Sequence, residues 1–427
     1  MSLEELGFNH TCFSRYVRGR KNKFLLFKKD DLLTSMEGEI KGKGKKAIYR
    51  QRDFLIVTFI TLSGTLGISG ITPAFPAIVR ELEITASEVG LLISVYSLPG
   101  LLSLPFLGIL ADRIGRKKVI IPSLLLFGVV GAACAFLRDF KLLLILRFFQ
   151  GIGSAPLITL SFVMLCDIYS GRERTSAIFY NSSIVSLGSA SFPAIGGLLA
   201  SFGWYYPFLM PVLSIPLALA TLSLKDIKTK NEQQVRKYLV NVWYSIKNIQ
   251  AIGLFAVCIF IPIILFGTFL TYFPILLGDQ FGASSFVIGL MISIMFVTTA
   301  LTSSRLVKSA RGLSEKTLIR VGFSLYLLSL LLIPLITDIY FLLLSVVTFG
   351  VAQGFTDPGR RMLMAKLAPV KHRSAFASLG DEVFILGESL GPVLMGLIFR
   401  LSGISGVFYA GSCFSVAIVI LISLSIK

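Results

Sequence analysis

The stretch Gly108-Ile-Leu-Ala-Asp-Arg-Ile-Gly-Arg-Lys-Lys118 sets one acid and four bases between two long apolar runs. No Asp, Glu, Lys or Arg lies between Glu88 and Asp112 on its N-terminal side. The same holds between Asp53 and Arg80, Lys247 and Asp279, and Arg400 and Lys427. A helix needs roughly 20 residues to cross about 30 Å of hydrocarbon. Lipid offers unpaired backbone groups no partner, so runs of this kind form spanning helices. The stretch from Arg174 to Lys225 is too long for one pass, and Phe202-Gly-Trp-Tyr-Tyr-Pro207 divides it. Twelve passes are predicted, near 54–78, 88–111, 118–137, 141–166, 175–201, 205–224, 249–276, 284–304, 317–337, 340–364, 374–399 and 404–426.

Composition agrees. Hydrophobic residues make up 54% of the 427, with 35 Phe among them, more than a water-soluble domain can hide. The net charge of +18 suggests nucleic acid until its distribution is followed. With twelve passes and a cytoplasmic N-terminus, inner segments hold 36 of the 41 Lys and Arg. The outer loops keep only Arg80, Arg138, Lys141 and Arg400, and Arg147 falls inside a helix. This asymmetry orients a membrane protein with both termini in the cytoplasm. Five cysteines show no ligand spacing, and Cys134, Cys166, Cys258 and Cys413 read as small apolar residues of helices. His10 and His372 are the only histidines, so neither a His-based catalytic site nor a metal site is expected.

Residues 1–50 form a basic tail suited to anionic lipid, without a signal-peptide pattern, and Met36 offers a second start. Residues 51–224 and 248–427 each hold six passes, joined by the polar segment 225–247, expected as a cytoplasmic linker. The halves repeat weakly. Gln150-Gly151 is matched by Gln353-Gly354, and Gly188, Pro193 and Gly197 recur 199 residues later as Gly387, Pro392 and Gly396. Such repeats are a property of transporters, whose substrate site lies between the halves.

On these residues the chain resembles the major facilitator superfamily across nearly all of 54–426. Gly108, Asp112, Arg113, Gly115, Arg116 and Lys117 match the family's loop between helices two and three. The resemblance implies a latch that holds the outward-facing state and releases during switching. Gly108 is expected to let helix ends approach closely, Gly115 to permit the turn, and Asp112 to bind the flanking arginines or a helix N-terminus. Arg147-Phe-Phe-Gln-Gly-Ile-Gly153 is similar to the fourth-helix motif, whose arginine is associated with proton coupling; a structural hub to neighbouring carbonyls is the other reading of Arg147. Gly188, Pro193, Gly196 and Gly197 look like the helix-five motif of the drug:proton antiporter branches, although Phe192 replaces the usual glycine. Gly391 and Pro392 repeat that pattern on helix eleven. Trp204 and Phe208 resemble the outer turn before helix six, with Tyr205 in place of an arginine. The loop Arg305–Gly312 is a degenerate partner of the Asp112 loop, with Lys308 where the acid would be, so a strong latch is expected on the first half only.

Helix one has no acid between Gly64 and Pro76, which leaves the second half to supply one. Glu388 should lie near the middle of helix eleven, while Asp357 has Arg361 one turn away. A carboxyl in low dielectric can take up and release a proton as water access alternates. Glu388, then Asp357, with Arg147, are the coupling candidates. Ser69, Thr72, Tyr96, Ser97, Asn181 and Ser182 would give the cavity a weakly polar lining suited to amphipathic solutes.

The expected protein is an all-α membrane protein of twelve helices in two pseudo-symmetric six-helix bundles. Its expected function is proton-coupled efflux of drug-like molecules at the cell membrane, with a sugar or metabolite transporter of the same fold as the alternative. A small-molecule substrate, protons and the bilayer are the expected partners of a monomer without cofactor, metal or nucleic acid. A membrane-embedded enzyme is disfavoured, because no catalytic constellation and no phosphate-binding GxxxxGK[ST] loop occurs.

Overall fold

A computed structural model describes residues 48–224, 249–309, 314–368 and 373–425. The tail up to residue 47, the linker 225–247 and the Arg311-Gly312 end of the degenerate loop lie outside the described residues. The elements are α1 (Arg52–Glu81), α2 (86–114), α3 (Arg116–Phe136), α4 (Phe140–Ile168), α5 (Gly171–Phe202) and α6 (Tyr206–Thr221). They continue with α7 (Gln250–Gln280), α8 (Ser285–Ser309), α9 (Glu315–Leu335), α10 (Ile339–Leu367), α11 (373–402) and α12 (404–425).

Four departures from straight spans mark the helices. In α2, Ala86–Leu101 and Phe106–Ile114 bend by 49°. The helix α6 starts as a 3-10 segment over Tyr206–Leu213, where Pro207 and Pro211 withhold amide donors. The 53 residues Arg373–Ser425 run on as helix except at Gly403, whose φ of +68° separates α11 from α12. A π-helical stretch over Ile263–Leu270 follows Pro262 in α7. Among the described residues, nine helices are long and apolar enough to span a membrane, ten if bent α2 is counted as one.

In the first half α4 packs against α1, α2 and α3; in the second half α10 packs against α8 and α9. Equivalent glycines allow this. A Cβ on Gly151 of α4 would collide with the Tyr96 carbonyl of α2, and one on Gly354 of α10 would come within 2.6 Å of Thr302 of α8. Both glutamines of the repeat are buried. Gln150 accepts from Arg147, and Gln353 accepts from the Tyr326 hydroxyl. The halves meet through α5 with α8, α2 with α11, and α1 with α7. Cys134 and Cys258 are buried, whereas Cys413 is exposed on α12, a correction to the apolar-core reading of that cysteine.

Candidate functional site

The antiparallel helices α2 and α11 touch turn after turn from the end that carries Glu83. Arg400 donates from Nε to Ser87 Oγ at 3.0 Å. One turn on, a Cβ added to Gly90 would come within 2.9 Å of Pro392. The Ser389 hydroxyl then donates to the Ser94 carbonyl at 3.1 Å, and the Ser97 hydroxyl donates to Glu388 Oε1 at 2.5 Å. Gly100 follows, with Ile385 at 3.7 Å from its Cβ position.

Helices α5 and α8 make the matching seam. A Cβ on Gly289 would collide with the Pro193 carbonyl and lie 3.1 Å from the Gly197 Cα. The amide of Ala194 donates to Ser293 Oγ at 3.0 Å. Gly90 and Gly289 are 199 residues apart, as are Pro392 and Pro193. The small residues of the helix-five motif thus face two neighbours. Gly188 and Gly196 abut Leu62 and Gly70 of α1, while Pro193 and Gly197 abut α8. On α11, Gly391 abuts Ile263 and Gly267 of α7, and Pro392 abuts α2.

Glu388 is half-buried midway along α11, and Ser97 is its hydrogen-bond partner across the halves. Asp357 is held differently. Its carboxylate meets Arg361 Nε at 3.0 Å and Arg360 at 3.2 Å, and Arg360 also reaches Asp381 at 3.4 Å. Arg360 is 2% exposed and lies under the Phe384 ring at 5.0 Å. The sequence sets Arg360 and Arg361 close behind Asp357, and both reach its carboxylate, Arg360 as the buried member.

Arg147 is fully buried on α4. Its guanidinium donates to the Gly67 carbonyl at 2.9 Å, the Leu92 carbonyl at 3.3 Å and Gln150 Oε1 at 2.7 Å. The first acceptor has a local origin. Ile71 bonds to Ile68, three residues back, as α1 tightens toward the 3-10 turn Thr72–Ala74. The Gly67 carbonyl is thereby freed from its usual helical donor. The Tyr96 ring stacks on Arg147 at 4.4 Å. Tyr96 and Ser97 are adjacent, so one turn of α2 brings Arg147 and Glu388 to opposite sides of the same backbone.

The Asp112 loop ties helices of the first half together. Gly115 has φ +102°, a conformation that L side chains rarely adopt, and separates α2 from α3. Arg116 lies 4.0 Å from Asp112, pairs closely with Asp167 at the end of α4, and donates to the Val163 carbonyl at 3.2 Å. Lys117 donates to the Leu222 and Leu224 carbonyls beyond α6, at 3.0 and 2.7 Å. Arg113 is exposed. Gly108 needs correction: among the described residues nothing lies within 4 Å of its Cβ position, so the close approach expected there is not seen in this conformation. The sequence reading misses Asp167, which sits just past the predicted end of the fourth pass.

The expected cavity lining is also corrected. Ser69, Thr72, Tyr96, Ser97 and Asn181 are buried, and only Ser182 is exposed. Ser69 and Thr72 turn back onto carbonyls of their own helix, as short hydroxyls do. Asn181 accepts from Thr61 at 3.3 Å, which also bonds Ser161 at 2.9 Å.

Relatives and solved structures share this architecture. Multidrug resistance protein 1 of Bacillus subtilis is 27% identical over 78% of this chain and 86% of its own length. Multidrug resistance protein 2 of the same organism is 24% identical over 84% and 92%. The Bacillus subtilis bacillibactin exporter is 34% identical, over 37% of this chain and 41%, under half, of that protein. The crystal structure of the nucleoside transporter NupG superposes with a TM-score of 0.74 at 16% identity, covering 88% of this chain and all of that one. A D-xylose-proton symporter gives 0.72 at 14% identity, covering 87% and 98%. The sequence profile of the Major Facilitator Superfamily matches residues 57–312 and 255–427, and with the two halves and their seams in place this chain belongs to that superfamily of membrane transporters.

Proposed function

We propose that this chain is a proton-driven exporter of drug-like, amphipathic molecules in the cell membrane, working by alternating access between halves 51–224 and 248–427. The names of the multidrug resistance proteins and of the bacillibactin exporter support export. The solved structures are alike in fold alone and carry no substrate over. The observation that carries the proton reading is Glu388, a carboxyl midway along α11 that faces the other half through Ser97. Asp357, by contrast, is braced by two guanidinium groups of its own helix, and one of them, Arg360, also reaches Asp381 on α11. Arg147 is the hub that holds α1, α2 and α4 in register beside it.

The excess of Lys and Arg around the Asp112 end puts that end, both termini and the linker 225–247 in the cytoplasm. The seams then close the outer side. This reading takes the structure as the state open to the inside, with Phe106, Leu110 and Ile114 exposed on the cytoplasmic turns of α2. The chain acts as a monomer on this reading, with a small molecule exchanged for protons.

Reconstitution into liposomes with an imposed pH gradient tests the proposal, with ethidium and a neutral sugar as paired probes. Gradient-dependent movement of ethidium and none of the sugar is the expected result. Sugar movement without ethidium movement would replace drug export with the metabolite reading.

A further inference from the structure

The Ser97–Glu388 contact is the deepest polar rung of the α2–α11 seam. Two other polar rungs, at Ser87 and Ser94, and the Gly90–Pro392 contact lie between it and the Glu83 end. Beyond it Ile385 lies 3.7 Å from the Cβ position of Gly100, and Phe106, Leu110 and Ile114 further along α2 are exposed. The proton candidate therefore sits where the closed part of the seam gives way to the exposed turns of α2.

We propose that Ser97 is the positioning residue that ties deprotonation of Glu388 to closure of the α2–α11 seam. This rests on Glu388 carrying the proton. The Ser97 hydroxyl donates to a carboxylate oxygen, and a hydrogen bond to a charged acceptor is roughly twice as strong as a neutral one. The bond favours the ionised carboxylate and forms only while the seam is closed. In this state the Glu388 carboxylic acid passes its proton to water at the Asp112 end, leaving a carboxylate that accepts from Ser97. When the halves part, the carboxylate loses that donor and takes a proton from water at the Glu83 end.

The surroundings leave this role to Ser97. The titratable groups on neighbouring elements include Tyr96 on α2, Arg147 on α4, Cys258 and Tyr272 on α7, and Asp357 and Arg360 on α10, while Glu88, Asp112 and Arg113 lie toward the two ends of α2 and Asp279 at the end of α7. On α11 itself, Asp381 and Glu382 lie about two turns away. Arg147 is directed to Gly67, Leu92 and Gln150, and Arg360 to Asp357 and Asp381. Among the described residues no ion pair reaches Glu388.

Infrared titration of the full chain in liposomes reads the carboxyl directly and needs no substrate. The protonated-carboxyl band lost in Glu388→Gln identifies the group. In Ser97→Ala its midpoint should move to more alkaline pH by about one unit, the size expected for losing one hydrogen bond to a charge. Ser97→Cys, of similar shape and with a weaker donor, should fall between. Ethidium transport by Ser97→Ala should be impaired near neutral pH and recover at alkaline pH, whereas packing damage would lower it at every pH. A midpoint unchanged in both serine variants overturns the role of Ser97 and leaves the Glu388 reading intact. If Glu388→Gln removes no band, the Glu388 reading fails, and this inference with it.

Discussion

Arg147 has no acid within ion-pair reach among the described residues, and its charge is spread over two carbonyls, an amide oxygen and an aromatic face. Arg360 solves the same problem with two carboxylates. A lysine at 147 keeps the charge but cannot reach three acceptors in a plane, so Arg147→Lys should lower stability by about 2–3 kcal/mol. A thermal melt in detergent measures this, and an unchanged melt would remove the hub role. The acids separate by the same logic. Glu388→Gln preserves shape and fixes the neutral state, so pH-driven ethidium accumulation or expulsion should vanish while exchange without a gradient persists. Asp357→Asn should instead depress the melting temperature, because Arg360 is left with Asp381 alone. A variant at 357 that loses pH drive with a normal melt would move the proton site there. The place of Glu388 midway along its helix was legible from depth on an apolar run, but its pairing with Ser97 was not: positions 291 residues apart meet only because two halves close, and no local pattern records that.

At the scale of elements, the twelve passes were readable because hydrocarbon imposes a length and forbids charge, and both constraints leave marks in sequence. The boundaries of α2, α6 and α11 were less so, since a bend within α2, a 3-10 entry and a turn at Gly403 depend on neighbours as well as residue type. The 199-residue repeat carried more than its small residues suggested. It sets Gly90 against Pro392 and Gly289 against Pro193, so the two seams between halves are the same contact made twice. A methyl group at Gly289 has no room while the α5–α8 seam is closed. Overpacking of this kind costs about 1–3 kcal/mol, and here the cost falls on one conformation only. Gly289→Ala should therefore shift the population toward the state open at the Glu83 end, several-fold or more. Labelling of Ser293→Cys with a membrane-impermeant maleimide, the native cysteines replaced, reads the shift from outside. Gly131→Ala, which overpacks Gln150 and Pro211 inside the first half, should lower the melt without exposing position 293. Equal labelling in both variants would mean that the glycine seam does not set the balance of states.

For the whole molecule, the decisive element is again the Asp112 loop, because it joins helix packing within one half to movement between halves. Arg116 is braced from two sides, by Asp112 at 4.0 Å and by the closer Asp167, and these acids should not be equivalent. Asp167 comes from α4, so its contact with Arg116 secures the α2–α3 turn to the body of the first half. Removing its charge leaves a partly buried guanidinium underpaired, and Asp167→Asn should lower stability by about 1–2 kcal/mol. Asp112 is more exposed and lies a longer distance from Arg116, so Asp112→Asn should leave the melt nearly unchanged. Its effect should appear in turnover. If the loop latches the opposite state, in which the Asp112 end closes, the neutral variant loses that state's added stability and transport slows several-fold at normal membrane levels. Position 293 should also become less accessible from outside, since the molecule spends more time with the Glu83 end sealed. Normal turnover and unchanged labelling in Asp112→Asn would reduce the loop's acid to a topology signal, with Asp167 and Arg116 left as a brace of the first half.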